Sequence, residues 1–308
     1  MSRIHEALKR AEEHLKAGAS GPVNLTRDEA LEESPLEARQ SFIPMAQGSA
    51  PNVVSTLTAN SGALPKWVDG LPPAVWKPNA SKLIFSDQTR SNEPGMEEFR
   101  TLRSRLYRLR EKMPLKTIMV SSALPGEGKT FVSSNLAYVL ARQNGRRVLL
   151  IDGDLRKPSL HVTLGADAEP GLSDYLTGDA KTDDIVQRGP DNNLFFISGG
   201  RIVSNPAELI GNGHLKKLLD ELEAYFDWIV FDSAPLVPVT DSSLVARHAN
   251  GVLLVVKTET TRVDLAQRAT QELKNLPLLG VVLNRAEGRA GYSSYYYSYG
   301  RTADVVKS

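Results

Sequence analysis

The strongest constraint on the fold is a recurrence of short apolar runs: TIMVSS (117–122), RVLLID (147–152), NLFFIS (193–198), DWIVFD (227–232), GVLLVVK (251–257) and LLGVVLN (278–284). Runs this short, with little polar alternation, are characteristic of strands buried on both faces. Between most of them lie segments long enough for helices, such as HLKKLLDELEAYF and RVDLAQRATQELKNL. Met96, Phe99, Leu102, Leu106 and Leu109 mark a further, arginine-rich helix ahead of the first run. Strands alternating with helices predict an α/β domain, a parallel sheet sandwiched by helices.

The chain before that domain reads differently. Within residues 1–18, Ile4, Ala7, Leu8, Ala11 and Leu15 fall at helical spacing with charges between them, and Gly18 is a stop signal. A short amphipathic helix is expected there; alone it is marginal in water, so it lies against something or frays. Residues 19–81 are dominated by proline, serine, alanine and asparagine without a sustained period, which predicts a disordered linker. Its stretch LPKWVDGLPPAVWKP holds Trp67 and Trp76, docking points for either the folded domain or another protein.

Bulk properties remove several function classes. Lysine and arginine total 37 against 36 aspartates and glutamates, so nothing points to nucleic acid or an anionic membrane as an obligatory partner. There are no cysteines, which excludes disulfides and thiolate metal sites. No run of about 20 apolar residues is present to span a bilayer. The N-terminal stretch lacks the apolar core of a secretory signal, so the cytoplasm is the expected compartment.

The chemistry concentrates after the first run, in SSALPGEGKTFVSSNLAYVLAR. Gly126, Gly128, Lys129 and Thr130 stand between a strand and a helix, as a phosphate-binding loop requires. Glycines let backbone N–H groups wrap an anion, the helix N-terminus adds its positive end, the lysine reaches the β- and γ-phosphates, and the threonine can ligate magnesium. The usual first glycine of the pattern is replaced by Ala123. Two further runs end in acids: VLLIDGDLRKP supplies Asp152 and Asp154 with Arg156 beyond, and WIVFDSAP supplies Asp232. One aspartate after a strand is often a helix cap. Ligands of parallel sheets, however, sit outside the carboxyl ends of the strands, so these three can converge on the phosphate loop. Magnesium asks for a few hard oxygen ligands, and a remaining carboxylate could accept a hydroxyl proton.

Together these blocks resemble the bacterial tyrosine kinases (BY-kinases) of capsule and exopolysaccharide synthesis, over roughly residues 82–308. ALPGEGKT corresponds to the Walker A block, VLLIDGDLRKP to Walker A-prime and IVFDSAP to Walker B. The resemblance implies a P-loop kinase domain over 82–290 and a substrate tail over 291–308. That tail contains GYSSYYYSYG, which holds Tyr292, Tyr295, Tyr296, Tyr297 and Tyr299. It implies ATP and Mg2+ as cofactors, with Gly126, Glu127, Gly128, Lys129, Thr130 and Phe131 lining the nucleotide, and Asn284 and Arg285 near its adenine. It assigns Thr130, Asp152 and Asp232 to the metal and Asp152 to the base. Asp154 goes to metal or phosphate positioning, and Arg156 to phosphate charge or the arriving tail. Glu97, Arg100 and Arg103, in EEFRTLRSRL, correspond to a helix that joins subunits into a ring; their spacing alone favours solvated intrahelical pairing. A membrane-embedded activator of the chain-length-regulator type, recruitment to the inner face of the membrane and a phosphotyrosine phosphatase are further implications.

Two other readings share the fold. Positioning and partition ATPases carry an extra lysine early in the loop, where this chain has Leu124. The other is a non-catalytic nucleotide-binding module of an export complex; the acids and Lys129 are all present, so loss of catalysis is not suggested.

Overall fold

All six apolar runs form strands. The computed structural model describes residues 67–84, 95–143, 145–190, 193–273 and 276–285. The runs become β1 (Thr117–Ser122), β2 (Val148–Gly153), β4 (Leu194–Ile197), β5 (Trp228–Ser233), β6 (Gly251–Lys257) and β7 (Leu278–Asn284). A short strand that the sequence did not reveal, β3 (Val186–Arg188), pairs antiparallel with β4 at one edge. The sheet order is β3-β4-β2-β5-β1-β6-β7, with every pairing apart from β3–β4 parallel.

Successive strand residues feed two apolar layers, as alternation across a pleat requires. Met119, Leu149, Ile151, Phe231 and Leu254 face one layer, and Ile118, Val120, Leu150, Val230 and Val255 face the other. The second layer is covered by α2 (Met96–Arg110) and α3 (Lys129–Ala141), through Phe99, Leu106, Val132 and Leu136. α3 is buried from Val132 to Ala141. The first layer is covered by α5 (Leu172–Thr177), α7 (Pro206–Gly211) and α8 (His214–Leu222), with α9 (Asp241–Ala246) and α10 (Val263–Glu272) adding Val245 and Ala269. α4 (Leu160–Leu164) and α6 (Thr182–Ile185) complete the helices among the described residues after α1 (Trp67–Gly70).

Residues 67–81 correct the expectation of a linker that runs to 81. Val68 in α1 is buried, and Trp67 meets the Tyr225 ring at 5.5 Å between centroids. Trp76 is 6% exposed and stands edge-on to Phe196 at 6.0 Å. Between and after them the backbone is bonded: Ala74 N–H to the Arg188 carbonyl (2.8 Å), Lys77 N–H to Gly165 (3.1 Å) and Asn79 N–H to Thr163 (3.0 Å). Two large aromatic side chains bury enough apolar surface to fix a segment whose composition alone favours disorder. Of the two docking surfaces the tryptophans left open, both use their own domain. The helix expected over 1–18 and the tail over 291–308 lie outside the described residues. No helix among the described residues is long and apolar enough to cross a membrane.

Candidate functional site

The site forms where β1, β2 and β5 end side by side. The phosphate loop leaves β1 and enters α3 at Lys129. Gly126 and Gly128 have φ of 80° and 96°, a left-handed backbone that side chains with a Cβ avoid. Gly128 meets a second demand, since a Cβ there would stand 2.0 Å from the Asn284 side-chain nitrogen. β2 and β5 are neighbours in register, with Asp152 directly opposite Asp232. Gly153 separates the two acids of the D-x-D block, and a Cβ there would lie 1.8 Å from the Phe231 ring. The tight strand pairing therefore dictates glycine at that position.

Five sequence-predicted residues converge here. Lys129 Nζ pairs with Asp154 Oδ2 at 2.9 Å. The Thr130 hydroxyl donates to Asp232 Oδ2 at 2.7 Å. Asp152 and Asp232 are both fully buried. Asp152 Oδ2 accepts the N–H groups of Ser159 (2.8 Å) and Leu160 (2.9 Å), at the start of α4. Burial, then the charge of Asp232, raises the Asp152 pKa to about 7, against the opposing pull of Leu160, Ser159 and Lys129. Burial likewise raises Asp232, with Lys129 and Thr130 pulling the other way. Burial pulls Lys129 down, but Asp232 and Asp154 outweigh it and hold the ammonium above its ordinary range. Two buried carboxylates face each other with one ammonium nearby, an arrangement a further cation would relieve.

Asp232 Oδ1 is the observation that bears on a metal. It is buried and has no hydrogen-bond partner, and an unpaired buried carboxylate oxygen is costly. No group of three or more His, Cys, Asp or Glu with metal-binding arrangement occurs among the described residues. Magnesium does not need one: Thr130, one or two aspartates and several waters complete its octahedron. The donor set fits a hard divalent cation.

Other predicted residues are held in ways the sequence did not show. Both Glu127 oxygens are engaged by the protein, one accepting the Leu124 N–H at 2.8 Å and the other the Thr261 hydroxyl. Phe131 packs on Phe99 of α2 at 6.0 Å between centroids. Asn284 Nδ2 donates to the Glu127 carbonyl at 2.8 Å, and its Oδ1 accepts the Arg285 N–H at 2.9 Å. Arg285 itself has φ of 55°. Arg156 makes a bidentate pair with Asp241 of α9, with Nε–Oδ2 2.6 Å and an Nη2–Oδ1 bond of 3.1 Å. The sequence alone does not show Asp241, because an acid that opens a helix reads as a cap.

The α2 residues stand apart from this group. Arg100 pairs with Glu97 at 3.1 Å along the helix, and Arg103 donates to the Val139 carbonyl of α3 at 3.0 Å. The five tail tyrosines lie outside the described residues.

Fold and site together define a nucleotide-binding α/β domain of the phosphate-loop class. A family model described as an AAA domain matches residues 115–276. The putative tyrosine-protein kinase EpsB of Ralstonia nicotianae is 36% identical over 213 residues, which are 68% of this chain and 28% of that one. Tyrosine-protein kinase YwqD of Bacillus subtilis is 34% identical over 203 residues, covering 66% of this chain and 85% of that protein. The solved kinase domain of the Escherichia coli tyrosine kinase ETK superposes with a TM-score of 0.64 at 29% identity, covering 73% of this chain and 88% of that domain. The chain belongs to the bacterial tyrosine-protein kinase family, and spans 28% of the length of EpsB.

Proposed function

We propose that this chain is an ATP- and Mg2+-dependent protein-tyrosine kinase whose own C-terminal tyrosines are its substrate, offered by one subunit to the site of the next. The observation that carries the reading is the meeting of Lys129, Thr130, Asp152, Asp154 and Asp232 at the ends of three adjacent strands. Family membership supports the same activity.

Thr130 and Asp232 would hold magnesium, with Asp152 beside them; the ion supplies neutralisation of phosphate charge. The residues of the chain divide the remaining work. Loop N–H groups and the start of α3 bind the phosphates, and Lys129 exchanges Asp154 for a phosphate oxygen. A tyrosine hydroxyl, with a pKa of about 10, is a poor nucleophile at neutral pH. Asp152, buried at the end of β2, would take its proton. Arg156, fixed by Asp241, faces phosphate charge or the incoming tail, and Asn284 and Arg285 stand for the adenine end. Glu97, Arg100 and Arg103 are assigned to a ring of subunits. In this reading the kinase serves capsule or exopolysaccharide export, recruited to the membrane's inner face by a membrane-embedded activator and reset by a phosphotyrosine phosphatase.

The test is labelling with ATP and magnesium of the wild type, Lys129→Met, and a variant with Tyr292, Tyr295, Tyr296, Tyr297 and Tyr299 all changed to Phe. Label should appear on tail tyrosines of the wild type and be lost, at least about a hundredfold, in both variants. ATP hydrolysis without phosphotyrosine, also in the presence of the activator's cytoplasmic segment, would overturn the proposal.

A further inference from the structure

A carboxylate inside an anion-binding loop opposes the electrostatics of that loop, so Glu127, between Gly126 and Gly128, needs a reason. Its residue is 3% exposed. One side-chain oxygen accepts the Leu124 N–H, within the loop. The other accepts the hydroxyl of Thr261, in the connection from β6 to α10. The Glu127 carbonyl is held too, by Asn284 at the end of β7. Thr258 closes the frame: its N–H donates to the Asn284 carbonyl at 3.0 Å, and its hydroxyl lies 2.7 Å from the Arg285 carbonyl. Thr261 is itself anchored, its N–H donating to the Lys257 carbonyl at 3.0 Å. Three backbone segments distant in sequence are thus laced together through one residue of the phosphate loop.

We propose that Glu127 and Thr261 are a positioning pair that fixes the shape of the phosphate loop and thereby sets nucleotide affinity. The physical need lies in the two glycines on either side. Each has unusual conformational freedom, and ordering it at the moment of binding would subtract from affinity. A loop pinned beforehand presents its N–H groups already aligned. Two of the three bonds to Glu127, those from Thr261 and Asn284, come from outside the loop. This inference rests on nucleotide binding in the loop and is independent of which hydroxyl receives the phosphate.

The pair is tested by titrating a fluorescent ATP analogue with magnesium into full-length variants and measuring turnover at saturating ATP. Thr261→Val keeps the side-chain shape and removes the hydroxyl. It should raise Kd about tenfold (about 1.4 kcal/mol), while turnover at saturation stays within about twofold. Glu127→Ala should lose at least as much, and the double variant no more than Glu127→Ala alone, since the two act through one bond. Glu127→Gln can keep both contacts, its Oε1 accepting from Leu124 and its Nε2 donating to the threonine oxygen, and should bind within about threefold of wild type. Wild-type affinity in Thr261→Val would overturn the proposal, as would additive losses in the double variant. So would a Glu127→Gln protein binding about tenfold tighter than wild type, the mark of plain charge repulsion. Should Glu127→Ala not fold, Thr261→Val and Glu127→Gln decide the matter between them. A protein that binds nucleotide normally and labels no tyrosine would sink the kinase reading and leave this pair standing.

Discussion

Asp152 concentrates the electrostatics of the site in one side chain. Its ordinary pKa of 3.8 applies to the unfolded chain, and about 7 to the folded one. Between those values the folded protein holds a proton that the unfolded chain has lost. Stability of the metal-free protein therefore falls as pH rises from about 4 to about 7 and levels off above. The contribution is on the order of a few kcal/mol. Asp152→Asn has no such proton, so urea unfolding in a chelator should show the wild type losing stability relative to the variant between about pH 4.5 and about pH 8. A constant difference across that range would contradict the assignment. At this scale the sequence revealed Lys129, Thr130, Asp152, Asp154 and Asp232, because strand ends and a glycine loop announce them locally. It could not reveal Asp241 or Thr261. Their bonds to Arg156 and Glu127 cross 85 and 134 residues, and only the order of strands in the sheet brings such partners together. Nor could it show that the Asn284 amide braces the phosphate loop, since the same residue type after a strand serves many ends.

Elements were legible in proportion to their periodicity. β1, β6 and β7 coincide with their apolar runs, and α2 follows its stripe from Met96 to Leu109. β3, three residues long and at the edge, left no pattern. The segment 67–81 misled in the opposite direction, because proline-rich composition reports local propensity while its order comes from contact with distant residues. Trp76 is the main anchor: it packs in the layer with Phe196 and Leu164, and a Cβ at Gly189 would lie 2.7 Å from its ring. Trp76→Ala should cost about 3–5 kcal/mol. It should also open residues 71–79 to limited proteolysis at protease levels that leave the wild type intact. Equal cleavage of both proteins, with unchanged unfolding, would show that the backbone bonds to Arg188, Gly165 and Thr163 suffice without the ring. α2 illustrates a different limit. Its E-x-x-R-x-x-R spacing was visible, but the capping of the Val139 carbonyl by Arg103 required α3 to be placed beside it.

At the scale of the whole molecule, the last strand and the candidate site share an end of the sheet. β7 is an edge strand, and Asn284, its last residue, touches the phosphate loop. The chain that leads to Tyr292 therefore starts beside its own candidate site. Six residues lie between Arg285 and Tyr292, a span of up to about 25 Å when extended. Reach alone thus permits transfer within one subunit, and the proposal of transfer between subunits makes a claim about geometry. A tether so short raises the local concentration of tyrosine only if the hydroxyl can align with Asp152, and misalignment forfeits that gain. In the proposed ring, a neighbour would present the same tail from outside, with several interchangeable acceptors. Each phosphate adds about −1.5 to −2 charges at neutral pH. Successive transfers would repel the tail from a site built around three aspartates, so labelling should release it stepwise. The discriminating experiment mixes Lys129→Met, which keeps its tail, with a protein that keeps the site and ends before Tyr292. Transfer between subunits predicts phosphotyrosine on the Lys129→Met chain, at a rate that rises with total concentration. Label absent from the mixture, with wild-type labelling whose first-order rate is unchanged by dilution, would place the reaction within one chain.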